Sequence, residues 1–334
     1  MSIRGRAIRG LASAVYYGGV LGPTARVVAR LRANAGIPIL SFHRVNDERD
    51  PFFPSMPTAM FAARMQHIAR NYLVLSLDEV AERLGRGRMP RNALALTFDD
   101  GYRDFFTHAA PILARFGLPA TVFLATGFIG TTEMAWYDGL ATAVKTGRRD
   151  ALELASGETL PLLSAAQRLV ALRELLRRLK GLPDEDRQAA IEDLVRRLDP
   201  VETGRPKRLM LTWDEVVALK GLGFSIGAHT VSHPILARMT AEVAWREIHG
   251  SKVAIERILG TPVRTFAYPN GGVTDYDSST VDLVRRAGFS CAVSTRRGLN
   301  THKTPIFELR RGGPWEEHLP TYALKLFYYQ MSGA

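Results

Sequence analysis

Short, unbroken apolar runs recur along this chain with helical patterns between them, and that alternation limits the folds open to it. The runs fall at residues 37–42, 72–75, 93–98, 120–125, 224–228, 263–268 and 289–294. Unbroken runs suit strands buried on both faces, which belong to parallel sheets covered by helices. The intervening stretches carry helix signals. Ser76-Leu-Asp-Glu79 and Thr212-Trp-Asp-Glu215 are capping boxes, each followed by apolar residues at helical spacing. Residues 241–259 hold Val243, Ile248, Val253, Ile255 and Leu259 in a helical pattern that stops at Gly260-Thr-Pro262. Strand followed by helix, repeated, predicts an α/β fold with a parallel sheet, open or closed into a barrel. The texture favours one α/β barrel over two domains, and an apolar content of 46% is ample for its core.

Three segments stand outside the alternation. Residues 145–208 carry no strand signal and read as a helical insertion, a hairpin of helices at 165–180 and 186–198 whose arginines face solvent. The tail 322–329 is amphipathic at helical spacing and is expected to seal the barrel or meet a partner. Residues 1–36 form a basic arm with six arginines and no acid, set before the main domain at 37–334. The arm either packs as a helix on the barrel or makes peripheral contact with a membrane surface. The net charge of +11 does not point to nucleic acid, because no basic stripe is interleaved with aromatic residues. No apolar run is long enough to span a bilayer, and no convincing signal cleavage site follows the arm. The expectation is a cytoplasmic protein, at most peripheral to the inner membrane. The single cysteine, Cys291, excludes an internal disulfide and reads as a buried strand thiol.

The chemistry-bearing residues lie where apolar runs end. Asp99-Asp100 closes the run 93–98, and His229-Thr-Val-Ser-His233 follows the run 224–228. In parallel α/β proteins functional groups collect at the carboxyl ends of strands. Adjacent carboxylates repel unless a cation engages one of them and leaves the other as a base. One carboxylate and two imidazoles four residues apart make a three-ligand set, with positions left for water and a carbonyl oxygen. Either half alone is more often a helix cap or a surface pair. Their joint occurrence is the signal.

At these residues the chain resembles the polysaccharide deacetylase family (NodB homology, carbohydrate esterase family 4). Thr97-Phe-Asp-Asp-Gly-Tyr102 is similar to the family's first motif and His229-Thr-Val-Ser-His233 to its second, a likeness extending over about 37–130 and 209–312. The resemblance implies a deformed (β/α) barrel, a divalent metal and removal of acetyl groups from sugars. It implies Asp99 as general base, taking a proton from the water the metal activates. It also implies Asp100, His229 and His233 as metal ligands, and a backbone N–H near Tyr102 as support for the oxyanion. The metal expected is Zn²⁺, with Co²⁺, Ni²⁺ or Fe²⁺ also suited to the set. The chain departs from the family at Phe266-Ala-Tyr-Pro-Asn-Gly271, where Ala267 replaces the arginine that orients the base. Arg311, or its neighbour Arg310, is the substitute available at another strand end. No late Leu-x-His supplies the usual acid. Ile39-Leu-Ser-Phe-His-Arg-Val45 resembles the opening of the branch acting on exopolysaccharide poly-N-acetylglucosamine, which makes His43 the candidate acid. The alternative for His43 is a hydrogen-bonded place inside the rim.

Tyr102, Tyr268 and Trp136 are the expected substrate contacts; Trp136-Tyr-Asp138 either stacks on sugar rings or packs under the insertion. The partner implied is an acetylated oligo- or polysaccharide, or a cell-envelope glycan. An O-acetyl carbohydrate esterase and a non-catalytic glycan-binding relative are the alternatives.

Overall fold

The computed structural model describes residues 3–21, 36–87, 89–90, 92–201 and 208–332. Its strands are β1 (Ile39–Phe42), β2 (Leu73–Leu75), β3 (Ala93–Phe98), β4 (Thr121–Leu124), β5 (Ala151–Glu153), β6 (Thr159–Pro161), β7 (Ser225–Ala228), β8 (Thr265–Ala267) and β9 (Cys291–Val293). One parallel sheet runs β1-β3-β4-β7-β8-β9, with β2 paired to the first half of β3. Every expected apolar run supplies one of these strands. The two capping boxes form as read, Ser76 with Glu79 and Thr212 with Glu215, and open helices Leu77–Gly85 and Trp213–Gly221.

The sheet is curled, and an irregular segment bridges its two edges. Leu309 pairs with Val293 of β9, while the Gly312 N–H donates to the Ile39 carbonyl of β1. Residues 309–312 thus form a seam between the edge strands, the deformation that a barrel of this kind was expected to have.

Side-chain parity along β3 sorts the core into two shells. Leu94, Leu96 and Phe98 pack outward against helices, in a cluster with Phe42, Phe61, Phe105 and Phe224. Ala93 and Ala95 face inward with Ile39, Phe123, Ala267, Val293 and Leu309. At Gly227 of β7 an added Cβ would lie 2.5 Å from the Phe123 ring and 2.6 Å from Thr265 Oγ1, so no larger residue fits without displacing β4 or β8.

The insertion differs from the expectation in one respect. Its helices, Ala165–Leu179 and Asp184–Leu198, are preceded by the antiparallel hairpin β5–β6, which sequence reading had placed in strand-free chain. Leu152, Leu160, Leu172, Leu175, Leu194 and Leu198 give the insertion an apolar cluster of its own, joined to helix Trp136–Thr146 through Leu140 and Val144. The first helix of the arm, Ile3–Tyr17, packs on the C-terminal helix Leu319–Ser332. Ser13 Oγ lies 3.4 Å from His318 Nε2, and the Tyr16 ring meets His67. Arg26, Arg30 and Arg32 of the arm lie outside the described residues. Among the described residues no helix is long and apolar enough to cross a membrane.

Candidate metal centre

Strand parity carries Thr97 and then Asp99 onto the inner face of the sheet. On the far side of the seam, Arg311 follows Leu309 onto the same face. The two meet in a forked pair: Arg311 Nη1 donates to Asp99 Oδ1 at 2.6 Å and Nη2 to Oδ2 at 2.8 Å. Arg311 also donates from Nε to the Ser294 carbonyl at 3.0 Å and from Nη1 to Thr97 Oγ1 at 3.2 Å. Both partners are almost wholly buried. Burial opposes ionisation of Asp99, but the Arg311 guanidinium, with His229 and His43 beyond it, holds the carboxyl below the usual range. Arg310 turns away from this pair, its side chain lying over Gly298.

Asp100 must leave the strand at once to point elsewhere than Asp99. Its φ of 73° and the φ of 83° at Gly101 make that turn. A Cβ on Gly101 would meet Ile129 Cδ1 at 2.9 Å and Leu124 Cδ2 at 3.0 Å, so the position requires glycine both for conformation and for space.

His229 continues the inward face of β7, and its Nδ1–H donates to the Ala267 carbonyl at 2.7 Å. That bond turns Nε2 toward Asp100 Oδ1, 3.4 Å away. His233 arrives through a tight turn rather than a helix, with left-handed φ at Thr230 (67°) and His233 (57°). Its Nε2 also lies 3.4 Å from Asp100 Oδ1. The turn is held by Glu247 on helix Ala241–Leu259, whose carboxylate accepts from the N–H groups of Val231 and Ser232, each at 2.8 Å, and from Ser232 Oγ.

Asp100, His229 and His233 therefore bring three ligand atoms within 4.8 Å of one another, all buried. Asp100 Oδ1 has no hydrogen-bond partner although it is buried. Burial pulls the His233 pKa down to about 3, which leaves the ring neutral, the form that ligates. An orphaned carboxylate oxygen facing two imidazole nitrogens is a donor set that fits a divalent cation.

His43, at the end of β1, is 54% exposed, with Nε2 3.9 Å from Asp99 Oδ2. It lines a cavity of about 400 Å³ with Asp100, Tyr102, Tyr137, Asp138 and Trp315. Tyr102 is buried on the wall, its hydroxyl donating to Asp138 Oδ2 at 2.7 Å. Burial lifts the Asp138 carboxyl to about 6, against that hydrogen bond and with help from nearby Asp100. Tyr102 bridges Met210 through its neighbours, Arg103 N–H to Leu209 and Leu211 N–H to Gly101; its own N–H takes no part.

One expected substrate contact, Tyr268, is corrected. Tyr268 is fully buried, stacked on Tyr276 at 4.0 Å with its hydroxyl donating to the Phe307 carbonyl, because one residue past Ala267 the parity turns it outward to the helices. Trp136 takes the second of its two expected places, packing against the insertion beneath the Arg187 guanidinium, and it lines a larger adjoining cavity of about 1190 Å³ that shares Arg44 and Phe53 with the smaller one. From that segment Tyr137 and Asp138 reach the metal pocket instead, Tyr137 with its ring 5.0 Å from that of His233. The insertion also contributes Leu172 and Leu176 to the pocket wall. Glu247, Tyr137 and Trp315 are functional candidates that the sequence pattern does not mark, apart from the aromatic patch that contains Tyr137.

The polysaccharide deacetylase family model matches residues 86–292, and the chain belongs to that family. It is 36% identical over 88 residues to poly-β-1,6-N-acetyl-D-glucosamine N-deacetylase of Escherichia coli K12, covering 25% of this chain and 13% of the relative. The Staphylococcus epidermidis protein of the same name is 32% identical over 73 residues, 22% of this chain and 25% of the relative. The matches thus span a quarter or less of those relatives' length. The fold is similar to that of the Streptococcus pyogenes deacetylase PplD, with TM-score 0.60, 20% identity and coverage of 88% and 99% of the two chains. IcaB from Ammonifex degensii is similar too, with TM-score 0.58, 17% identity and coverage of 89% and 98%.

Proposed function

We propose that this protein is a metal-dependent hydrolase that removes acetyl groups from N-acetylglucosamine units of a polysaccharide or cell-envelope glycan. The observation that carries the reading is the forked Arg311–Asp99 pair set beside the Asp100, His229 and His233 cluster. Zn²⁺ is the ion proposed for that cluster. Such an ion, when bound, polarises a carbonyl and makes a nearby water acidic.

The protein's own groups divide the remaining work. Asp99, kept ionised by Arg311, accepts a proton from the attacking water. Arg311 holds both carboxylate oxygens, so the base keeps one orientation while the proton moves. The acetyl carbon becomes tetrahedral, and the Tyr102 N–H is the donor available to its oxygen. An amide nitrogen cannot depart as an anion, and His43, near Asp99 and open to the pocket, is the group assigned to protonate it. The guanidinium on Asp99 answers one of the two grounds for a non-catalytic reading, Ala267 standing where the family keeps arginine; the other, the missing late Leu-x-His, is met here only by assigning the acid role to His43.

The test is acetate release from N-acetylglucosamine oligomers compared with acetylated xylan, with and without a chelator. Release from the oligomers, abolished by chelation and by Asp99→Asn while the metal stays bound, is the expected result. Release from xylan alone would favour an O-acetyl esterase, and turnover retained by Asp99→Asn would refute the assignment of the base.

A further inference from the structure

Trp315 differs from the other aromatic residues around the pocket. Its ring is 65% exposed, yet it lines the same cavity as His43, Asp100 and Tyr137. Behind the ring lies Arg64, 1% exposed, its guanidinium carbon 5.5 Å from the Trp315 centroid and 4.3 Å from that of Tyr322. Arg64 Nη2 donates to the Glu316 carbonyl, and Nη1 contacts the Met56 sulfur at 3.6 Å. These partners are two π faces, a carbonyl and a thioether. Burying a guanidinium among such groups costs free energy that a leucine there would not, and burial draws the Arg64 pKa down accordingly. What the arrangement secures is the place of one loop: Arg64 touches residues 315 and 316 and anchors both to the helices Thr58–Asn71 and Leu319–Ser332.

A large apolar ring held open to solvent at the mouth of a polar pocket suits a ligand with one apolar face and polar edges. A pyranose has that form: C–H groups on a face, hydroxyls and the acetamido group around the rim. We propose that Trp315 is a platform on which a sugar ring of the glycan stacks beside the metal pocket, with Arg64 as the positioning residue that fixes the indole. This rests on the glycan reading above, and it places one sugar contact on the loop after the seam.

The experiment measures binding of an N-acetylglucosamine tetramer by calorimetry, in chelator-treated and Zn²⁺-loaded protein, together with hydrolysis of a small acetyl ester. Trp315→Ala is expected to weaken tetramer binding by about tenfold and Trp315→Tyr to recover most of it. Ester hydrolysis should fall by less than tetramer binding does in both, since the platform lies outside the reacting group. Arg64→Met is expected to weaken binding by about threefold or more, and Arg64→Lys, which keeps the charge without the planar stack, to fall between. Tetramer binding within about twofold of wild type in Trp315→Ala overturns the proposal, as does an equal loss of ester hydrolysis and binding. If Arg64→Met does not fold, wild-type binding by Arg64→Lys overturns the role given to Arg64. Wild-type protein that binds the tetramer through Trp315 without releasing acetate would refute the deacetylase reading and leave the platform standing; wild-type protein that binds no oligomer would refute the platform.

Discussion

Replacing Arg311 by methionine tests the coupling of Arg311 to Asp99 most directly. The wild-type guanidinium makes four hydrogen bonds, two of them to Asp99, and neither residue reaches bulk water. Breaking a buried pair by removing one partner strands the other charge, at a cost of about 3–5 kcal/mol. The stranded carboxyl can escape that cost by taking a proton. Removing the guanidinium therefore raises the Asp99 pKa, because burial then acts on the carboxylate without the opposing charge. The sign of the pH dependence follows. In the wild type the folded pKa of Asp99 is lowered, so its contribution to stability is present above the unfolded pKa and is lost as pH falls through the folded value. In Arg311→Met the folded pKa lies above the unfolded one, so the folded state holds the extra proton and stability falls as pH rises. Urea unfolding of chelator-treated protein at pH 5 and pH 8, with the pH–rate profile of the loaded enzyme, reads both effects. A deficit of about 3–5 kcal/mol at pH 8 that shrinks at pH 5 is expected, with the acid limb of the rate profile displaced to higher pH. Arg311→Lys keeps the charge but not the fork and should fall between. An equal deficit at both pH values and an unmoved acid limb would refute the pairing as the source of the effect.

Glu247→Ala should lower metal affinity about 10–100-fold, because the turn that delivers His233 loses three acceptor contacts; a competition titration with a chromogenic chelator measures this. Zn²⁺ should raise the thermal midpoint of wild-type protein in a concentration-dependent manner and leave that of His233→Ala unmoved, since only an ion bound by the folded state stabilises it. Gly101→Ala should destabilise by about 1–3 kcal/mol in chemical denaturation, from strain at positive φ and the clash with Leu124 and Ile129.

The seven runs that became the parallel sheet were legible because strands covered on both faces, as all but the edge strand β2 largely are, write themselves as uninterrupted apolar residues. The β5–β6 hairpin was not, since each three-residue strand buries one leucine between two exposed neighbours. The metal ligands were legible from local pattern: each half of the cluster sits directly behind a recognisable strand. Face assignment was harder. Tyr268 and Asp99 both close apolar runs, and only the register of β8 against β9, with Ala267 opposite Val293, turns one outward while the other faces inward. Glu247 carries no mark in sequence, because an acid on a helix surface looks the same whether it faces solvent or caps a distant turn. Trp315 belongs to irregular chain whose position depends on Arg64, a residue far away along the polypeptide.

The candidate metal ligands follow β3 and β7, deep within the ladder, whereas the guanidinium paired with Asp99 rides on the stitch between β9 and β1. These two parts of the machinery need not melt together. Mild loosening that unpicks residues 309–312 would leave the cation seated but free the carboxylate to swing, producing a loaded protein unable to turn over. Grip and competence are then expected to part along the line where the sheet is sewn shut.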